Sequence, residues 1–284
     1  MNEKVFCYFH SDDNDGWSSS AVVLKKYPTT IFCGYNYEPK LPILAKGFDI
    51  VFMVDCSCSV EEMKYLIDNN KKFIWIDHHA KKIWDTLKVM NPDGLRDTDN
   101  KNSACVLTWK YLYQKKKIPD VLLYIEDQDI WKFKLLNSRE INMAMNIDCK
   151  DNRMYLERLL NDEIFTFNVL TLYNNGTAYL RVEKNQIDFL LKTMNVIDFH
   201  GYKTGVINSP IHTSFIGHRL LAENPDIQVA LIWYCLGDYV LCSLRSRGDV
   251  NVSDIAMKYG GGGHKPASGF RIKKDVIKDI LESE

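Results

Sequence analysis

The sequence predicts an α/β protein: a parallel-sheet domain joined by helices to a smaller α/β domain. Three observations carry this. The runs at 5–9, 31–35, 49–54 and 73–76 are short, apolar and rich in β-branched and aromatic residues, the pattern of strands buried on both faces. Segments 18–27 and 60–70, between them, place apolar residues at helical spacing. Strand-like runs then return only after residue 201, beyond a long helical middle.

Taken in order, the first strand runs straight into His10 and an acidic loop. The helix 60–70 is announced by Ser59 followed three residues later by Glu62, a capping box. After Asp93 the pattern turns helical: 103–117, then 120–129 behind Pro119, then a stretch from about 152 to 199 in which Asn174, Asn175 and Gly176 read as a turn between helices. Strands are expected again at 202–207, 229–235 and 239–244, the last two joined by a hairpin at Leu236, Gly237 and Asp238. A helix at 252–258 leads into four glycines and His264, and a strand follows at 269–272. The expected organisation is a first domain over 1–150, a helical linker over 151–200 and a second domain over 201–284.

Composition narrows the function. The chain has 284 residues, 36 Lys+Arg against 37 Asp+Glu, a net charge of -1 and 46% hydrophobic residues. That is ordinary globular composition, and near-neutrality argues against a partner such as long duplex DNA, whose many phosphates need a broad cationic excess. A small anionic substrate remains open. The start of the chain has acids where a signal peptide needs an apolar core, and no uncharged run reaches the ~18 residues of a membrane span, so a cytoplasmic, membrane-free location is expected. The 8 cysteines form no C-x-x-C pair and read as reduced core thiols.

The chemistry is expected where the strands end, because ligands of open α/β sheets gather at the carboxyl edge. His10, Asp13 and Asp15 follow the first strand, Asp55 ends the third, and Asp77, His78 and His79 end the fourth. Singly, each reads as a turn former, a cap or a solvated side chain. On successive strands of one sheet they converge, and that many carboxylates repel one another unless a cation lies between them. A mixed Asp/His set suits Mn²⁺ ahead of Zn²⁺ or Mg²⁺. More than five candidate ligands point to two ions, about 3.5–4 Å apart, and to hydrolysis of a phosphate ester or anhydride. A second locus is Gly260–Gly263 with His264: ordered glycines of this density read as a backbone cradle for a phosphate or nucleotide, or else as a linker.

The set His10-x-x-Asp13-x-Asp15-Gly16, Val54-Asp55, Ile76-Asp77-His78-His79 and the late Gly-Gly-Gly-Gly-His resembles the DHH phosphoesterases with a DHHA1 domain. Tyr35-Asn36-Tyr37-Glu38-Pro39 and Asp129-Ile130-Trp131 resemble the oligoribonuclease and cyclic-nucleotide phosphodiesterase branch, and the likeness runs from Val5 to Phe270. The resemblance implies that His10 and Asp13 hold one Mn²⁺, that Asp15 and His78 hold the other, and that Asp55 bridges them. It implies a further aspartate from 125–131, Asp129 being preferred and Asp127 the alternative. It makes Asp77 the support of an imidazole, His79 a donor or general acid towards the substrate phosphate, and Gly261, Gly262, Gly263 and His264 a substrate loop. Asp12, an extra acid in the first motif, is read as a loop residue.

Other residues keep two readings. Arg245 is either a bidentate clamp on a terminal phosphate or an exposed strand charge. Asn102 and Ser103 open a helix and offer either an anion site or a plain N-cap. Trp17 either stacks on a base or packs at a helix start. Trp75, Trp109 and Trp233 read as core, and Lys115–Lys117 as a solvated helix end.

The resemblance implies a metal-dependent phosphodiesterase that degrades short oligoribonucleotides or linear dinucleotides to mononucleotides. A cyclic mono- or dinucleotide phosphodiesterase is the alternative, and a catalytically silent nucleotide sensor the rival of another class. A processive exonuclease or an inorganic pyrophosphatase is disfavoured. Monomer and homodimer both remain open.

Overall fold

The computed structural model describes residues 3–36, 40–149 and 151–277. Tyr37, Glu38 and Pro39 of the Tyr35-Asn36-Tyr37-Glu38-Pro39 segment lie outside the described residues. The chain forms two compact units, Met1–Leu180 and Arg181–Glu284.

The first unit begins with β1 (Val5–His10), α1 (Asn14–Lys26), β2 (Ile31–Tyr35), β3 (Ile50–Val54), α2 (Val60–Asn69) and β4 (Phe73–Ile76). The strands pair in parallel in the order β2-β1-β3-β4. Alternation along β1 explains why both faces are covered. Val5, Cys7 and Phe9 pack on one side with Val23 and Leu107, and Phe6 and Tyr8 pack on the other with Met63 and Leu66. The burial of β1, β3 and β4 is as expected, but β2 is an edge strand with Ile31 half exposed, so the rule of two covered faces fails there. The capping box of α2 is present, with both Ser59 and Glu62 bonding across it.

Helices α3 (Ala80–Leu87), α4 (Ala104–Tyr113), α5 (Asp120–Asp129), α6 (Ser138–Ala144), α7 (Arg153–Leu159) and α8 (Asp162–Leu191) follow. A π-helical turn, Met145–Cys149, continues α6. The expected break at Asn174-Asn175-Gly176 does not occur. Helix α8 runs through it because a side chain at 176 would overlap the Glu140 carbonyl, so the glycine permits close helix crossing, and Asn175 donates to Asp148. Packing here overrides poor helix propensity.

The second unit contains β5 (Asn195–Phe199), β6 (Tyr202–Asn208), α9 (Thr213–Glu223), β7 (Val229–Leu236), β8 (Tyr239–Ser246), α10 (Val252–Lys258), β9 (Gly262–His264) and β10 (Ala267–Lys273). Their sheet order is β5-β6-β7-β8-β10-β9, with β6 and β7 parallel and the other neighbours antiparallel. Residues 195–199, expected to be helical, are therefore a strand. Val229 and Leu231 face α10, while Ala230 and Ile232 face α9 and Ile187. Cysteines are free, and most are buried, though Cys235 is exposed. Among the described residues, no helix is long and apolar enough to cross a membrane.

Candidate metal centre

The parallel register delivers the acids and imidazoles to one place. His10 is the last residue of β1, and the chain turns at once into α1, whose N-cap is Asp13. One Asp13 oxygen accepts from Gly16 N at 2.9 Å and the other lies 2.9 Å from His10 Nδ1. Gly16 is required because a Cβ there would overlap the His10 carbonyl. The strand end and helix start thus touch backbone to backbone, which explains the glycine of the motif. Asp12 is exposed, as a loop residue should be.

Asp55 follows β3 with φ of 58°, in the left-handed region that aspartate and asparagine tolerate better than most residues. The turn puts its carboxylate between two imidazoles: Oδ2 is 3.5 Å from His10 Nδ1 and Oδ1 is 3.4 Å from His78 Nε2. His78 Nε2 is also 3.4 Å from Asp129 Oδ2, at the end of α5, and 3.7 Å from Asp15 Oδ2. Three overlapping groups result: His10, Asp13 and Asp55; Asp15, His78 and Asp129; and Asp55, His78 and His79. Asp127 has a different place, accepting from Lys134 N and Leu135 N in the following loop.

Around this cluster the supports are local. Asp77 accepts from His78 N, His79 N and His79 Nδ1, the last at 2.7 Å, so it fixes the His79 ring. His79 is about a third exposed, whereas His78 is buried. Asn100, which the sequence reading passed over, places Oδ1 3.3 Å from His78 Nδ1. That contact leaves Nε2 to face the carboxylates, the usual arrangement behind a ligating imidazole. No sequence pattern marks Asn100, because it reaches His78 from a loop 22 residues on.

Asp15 does two things at once. Its oxygens accept from Ala104 N at 2.7 Å and Cys105 N at 2.8 Å, so the first N–H groups of α4 are already occupied. Ser103 N donates to Glu126, and Ser103 itself is fully buried. The helix N-terminus therefore holds the protein's own carboxylates, and the substrate-binding role expected of Ser103 is removed. Trp17 is also settled by packing: its Nε1 donates to Ser11 O, its ring meets Phe9 edge-on at 4.8 Å, and the Arg153 guanidinium lies 4.9 Å from its centre. Trp75 and Trp109 are buried, with Trp233 partly so.

Electrostatics test whether these residues suit cations. Both Asp55 oxygens and Asp129 Oδ2 are buried without a hydrogen bond, an expensive condition for a carboxylate. Burial pushes Asp15 up to about 7, with Asp55 adding to it, and pushes Asp129 well above the carboxylate range, with Asp15 adding to it. Burial would lower His10, but Asp13 and Asp55 more than offset it and raise it to about 11. Burial likewise opposes the charge on His78, which Asp129 and Asp55 nevertheless hold well above its ordinary value. Burial would raise Asp55, yet His10 and His78 bring it below the ordinary range. Protons are thus drawn in to neutralise a crowd of carboxylates, the work a bound divalent cation does better. The donor set fits such ions.

A pH dependence follows for protein treated with EDTA. The proton on His10 stabilises the fold fully below the unfolded value of 6.5 and is lost as pH climbs towards about 11. Asp15 acts in the same sense, weakening the fold as pH rises from 3.8 through about 7. The melting temperature without metal is therefore expected to fall between pH about 6.5 and about 9. With excess Mn²⁺ the slope reverses, because metal entry displaces those protons. Parallel melting curves in the two conditions contradict this account.

In the second unit, the glycine run forms neither a linker nor an open loop. Gly260 (φ 77°) and Gly261 end α10 in a Schellman motif, their N–H groups donating to Met257 O and Ala256 O. Gly262, Gly263 and His264 form the edge strand β9, paired with Gly269, Ser268 and Ala267. A Cβ on Gly261 would overlap Gly269 O. The glycines thus have a structural reason independent of any ligand. Arg245, on β8, donates Nη2 to Ser214 Oγ at 2.6 Å and Nη1 to Leu244 O at 2.8 Å, neither of them a carboxylate.

Comparison with known proteins gives the following. Residues 4–130 match the model described as DHH family, N-terminal domain, and residues 211–283 match that of the DHHA1 domain. The chain is 31% identical over 227 residues to the uncharacterized protein R106 of Acanthamoeba polyphaga mimivirus, covering 78% of this chain and 52% of that one. It is 26% identical over 232 residues to oligoribonuclease NrnB of Bacillus subtilis (strain 168), covering 75% of this chain and 54% of the relative. The chain spans about half the length of the curated relatives it matches. Among solved structures, exonuclease RecJ bound to manganese aligns with a TM-score of 0.57 at 15% identity, over 99% of this chain and 88% of that one, a likeness of fold.

Proposed function

The chain belongs to the DHH family of phosphoesterases and carries a DHHA1 domain, and on that premise we propose that it is a di-manganese phosphodiesterase. Its substrates are short oligoribonucleotides and linear dinucleotides, released as mononucleotides. The observation that carries the reading is Asp55, whose two oxygens face two different imidazoles, His10 beside Asp13 and His78 beside Asp15 and Asp129. A single carboxylate so placed serves two cation sites at once.

His10, Asp13 and Asp55 hold one ion, and Asp15, Asp55, His78 and Asp129 hold the other. When bound, the ions supply an activated water and neutralise charge developing on the phosphoryl group. Asp77 fixes the His79 ring through Nδ1, and His79 donates to the substrate phosphate or protonates the leaving oxygen. Gly262, Gly263 and His264 offer edge-strand backbone groups to the substrate, Gly261 sets the turn that leads into them, and Arg245 offers its guanidinium to a terminal phosphate. The NrnB likeness supports short RNA as the substrate class, and the near-neutral charge of the chain agrees with it.

Turnover of pApA, pGpG and cAMP with and without Mn²⁺ tests the reading. Mononucleotides from the two linear dinucleotides, only with metal present, are the expected result. Cleavage of cAMP alone assigns the site to cyclic nucleotides, and binding without product assigns it to a sensor; either overturns the proposal. Arg245→Ala is expected to raise KM roughly tenfold with little change in kcat, the signature of a lost ground-state contact. A fall confined to kcat removes Arg245 from binding.

A further inference from the structure

Directly after Asp129 comes a segment that ion binding does not explain. Trp131 has φ of 58° and Phe133 has φ of 49°, two bulky aromatics in the left-handed region within three residues. Side chains of this size avoid that region, and such strain persists where the surroundings enforce it and function uses it. Here the surroundings do enforce it. Asp127 is a hub: its carbonyl accepts from Lys132 N at 2.8 Å and Phe133 N at 3.0 Å, and its carboxylate from Lys134 N at 2.9 Å and Leu135 N at 3.0 Å. Lys132 Nζ donates to the Lys101 carbonyl at 3.2 Å, one residue from Asn100, whose side chain meets His78. The loop thus starts from the candidate ligand Asp129, is folded back onto Asp127, and is tied through Lys132 to the segment that carries Asn100.

The result is an aromatic displayed rather than buried. Trp131 is 41% exposed, and its ring meets Phe133 edge-on at 4.9 Å and 80°. Hydrophobic burial alone would fold an indole inward, and a glycine or asparagine at 131 would relieve the backbone. The chain keeps a strained tryptophan two residues from a candidate ligand.

We propose that Trp131 is the stacking platform for a nucleobase of the substrate whose phosphate is held at the metal centre. Phe133 braces the indole edge, and Asp127 and Lys132 are positioning residues. This rests on the phosphodiesterase reading and adds to it the part of the substrate that the metal centre leaves unread. Stacking accepts any base, so the site selects for a base rather than for a particular one.

Two measurements test this in the Mn²⁺-loaded protein. In the first, kcat/KM is compared for pApA and for the analogue lacking both bases. Wild type is expected to prefer pApA, Trp131→Ala to lose that preference by roughly ten- to a hundredfold, and Trp131→Phe to keep most of it. In the second, fluorescence of 2-aminopurine riboside 5′-monophosphate is expected to be quenched on binding to wild type and not by Trp131→Ala. The second arm stands even if wild type cleaves no diester, which would sink the phosphodiesterase reading alone. Equal losses on pApA and the base-free analogue would make Trp131 a structural or protein-contact residue. That result, or unchanged quenching in Trp131→Ala, overturns the proposal.

Discussion

Replacing Asp55 by asparagine is expected to lower kcat/KM on every phosphodiester by at least about 10³-fold, roughly 4 kcal/mol of transition-state stabilisation. The substitution is chosen to isolate charge. Asparagine has the same shape and is among the residues that tolerate the left-handed φ of 58° found here, so the turn after β3 survives. What disappears is the anion facing both His10 and His78. Both proposed ions lose a ligand together, which no other residue of the cluster can cause. The fold is expected to persist, because lost pairing with the imidazoles is offset by relief of repulsion on Asp15 and Asp129, whose pKa values Asp55 helps to raise. A native circular dichroism spectrum with negligible turnover is the expected pair of results. More than a tenth of wild-type activity in this variant contradicts a bridging role.

Gly16→Ala is expected to cost at least about 3 kcal/mol, at the upper end of overpacking effects. The reason is the nature of the obstacle. A methyl group at this position would overlap the backbone oxygen of His10, which cannot swing aside as a side chain can. Either α1 lifts away from β1 or the strand end shifts, and each moves His10, Asp13 and Asp15 together. Thermal melting combined with Mn²⁺ titration checks this: a large fall in melting temperature should accompany weakened metal binding in the fraction that remains folded. A melting temperature within two degrees or so of wild type, with undiminished Mn²⁺ affinity, contradicts the close approach.

Much of this site was legible in the sequence because local rules write it. Unalternated apolar runs mark buried strands, and acids or histidines directly after them must fall on one edge of a parallel sheet. The same rules miss what distant packing decides. The N-terminus of α4 looks open in sequence, yet Asp15 fills it from 89 residues away. Trp17 looks available to a ligand, yet Arg153 of α7 covers it. The Asn-Asn-Gly of α8 spells a turn, and only the approach of Glu140 shows why a glycine sits in mid-helix. Strand β5 is a short, mostly exposed edge strand whose Asn-Val-Ile-Asp-Phe lacks the alternation that marks a strand, so it reads as part of the helical stretch before it. Asn100 carries no motif at all, and the 125–131 segment marks Asp127 only as an alternative ligand, because loop geometry rather than spacing gives both their roles.

Anomalous diffraction from crystals grown with Mn²⁺ tests the central claim most directly. The account predicts two manganese peaks per chain, one among His10, Asp13 and Asp55 and one among Asp15, Asp55, His78 and Asp129, with Asp55 touching both. A single peak, peaks remote from these side chains, or none at saturating metal would contradict it.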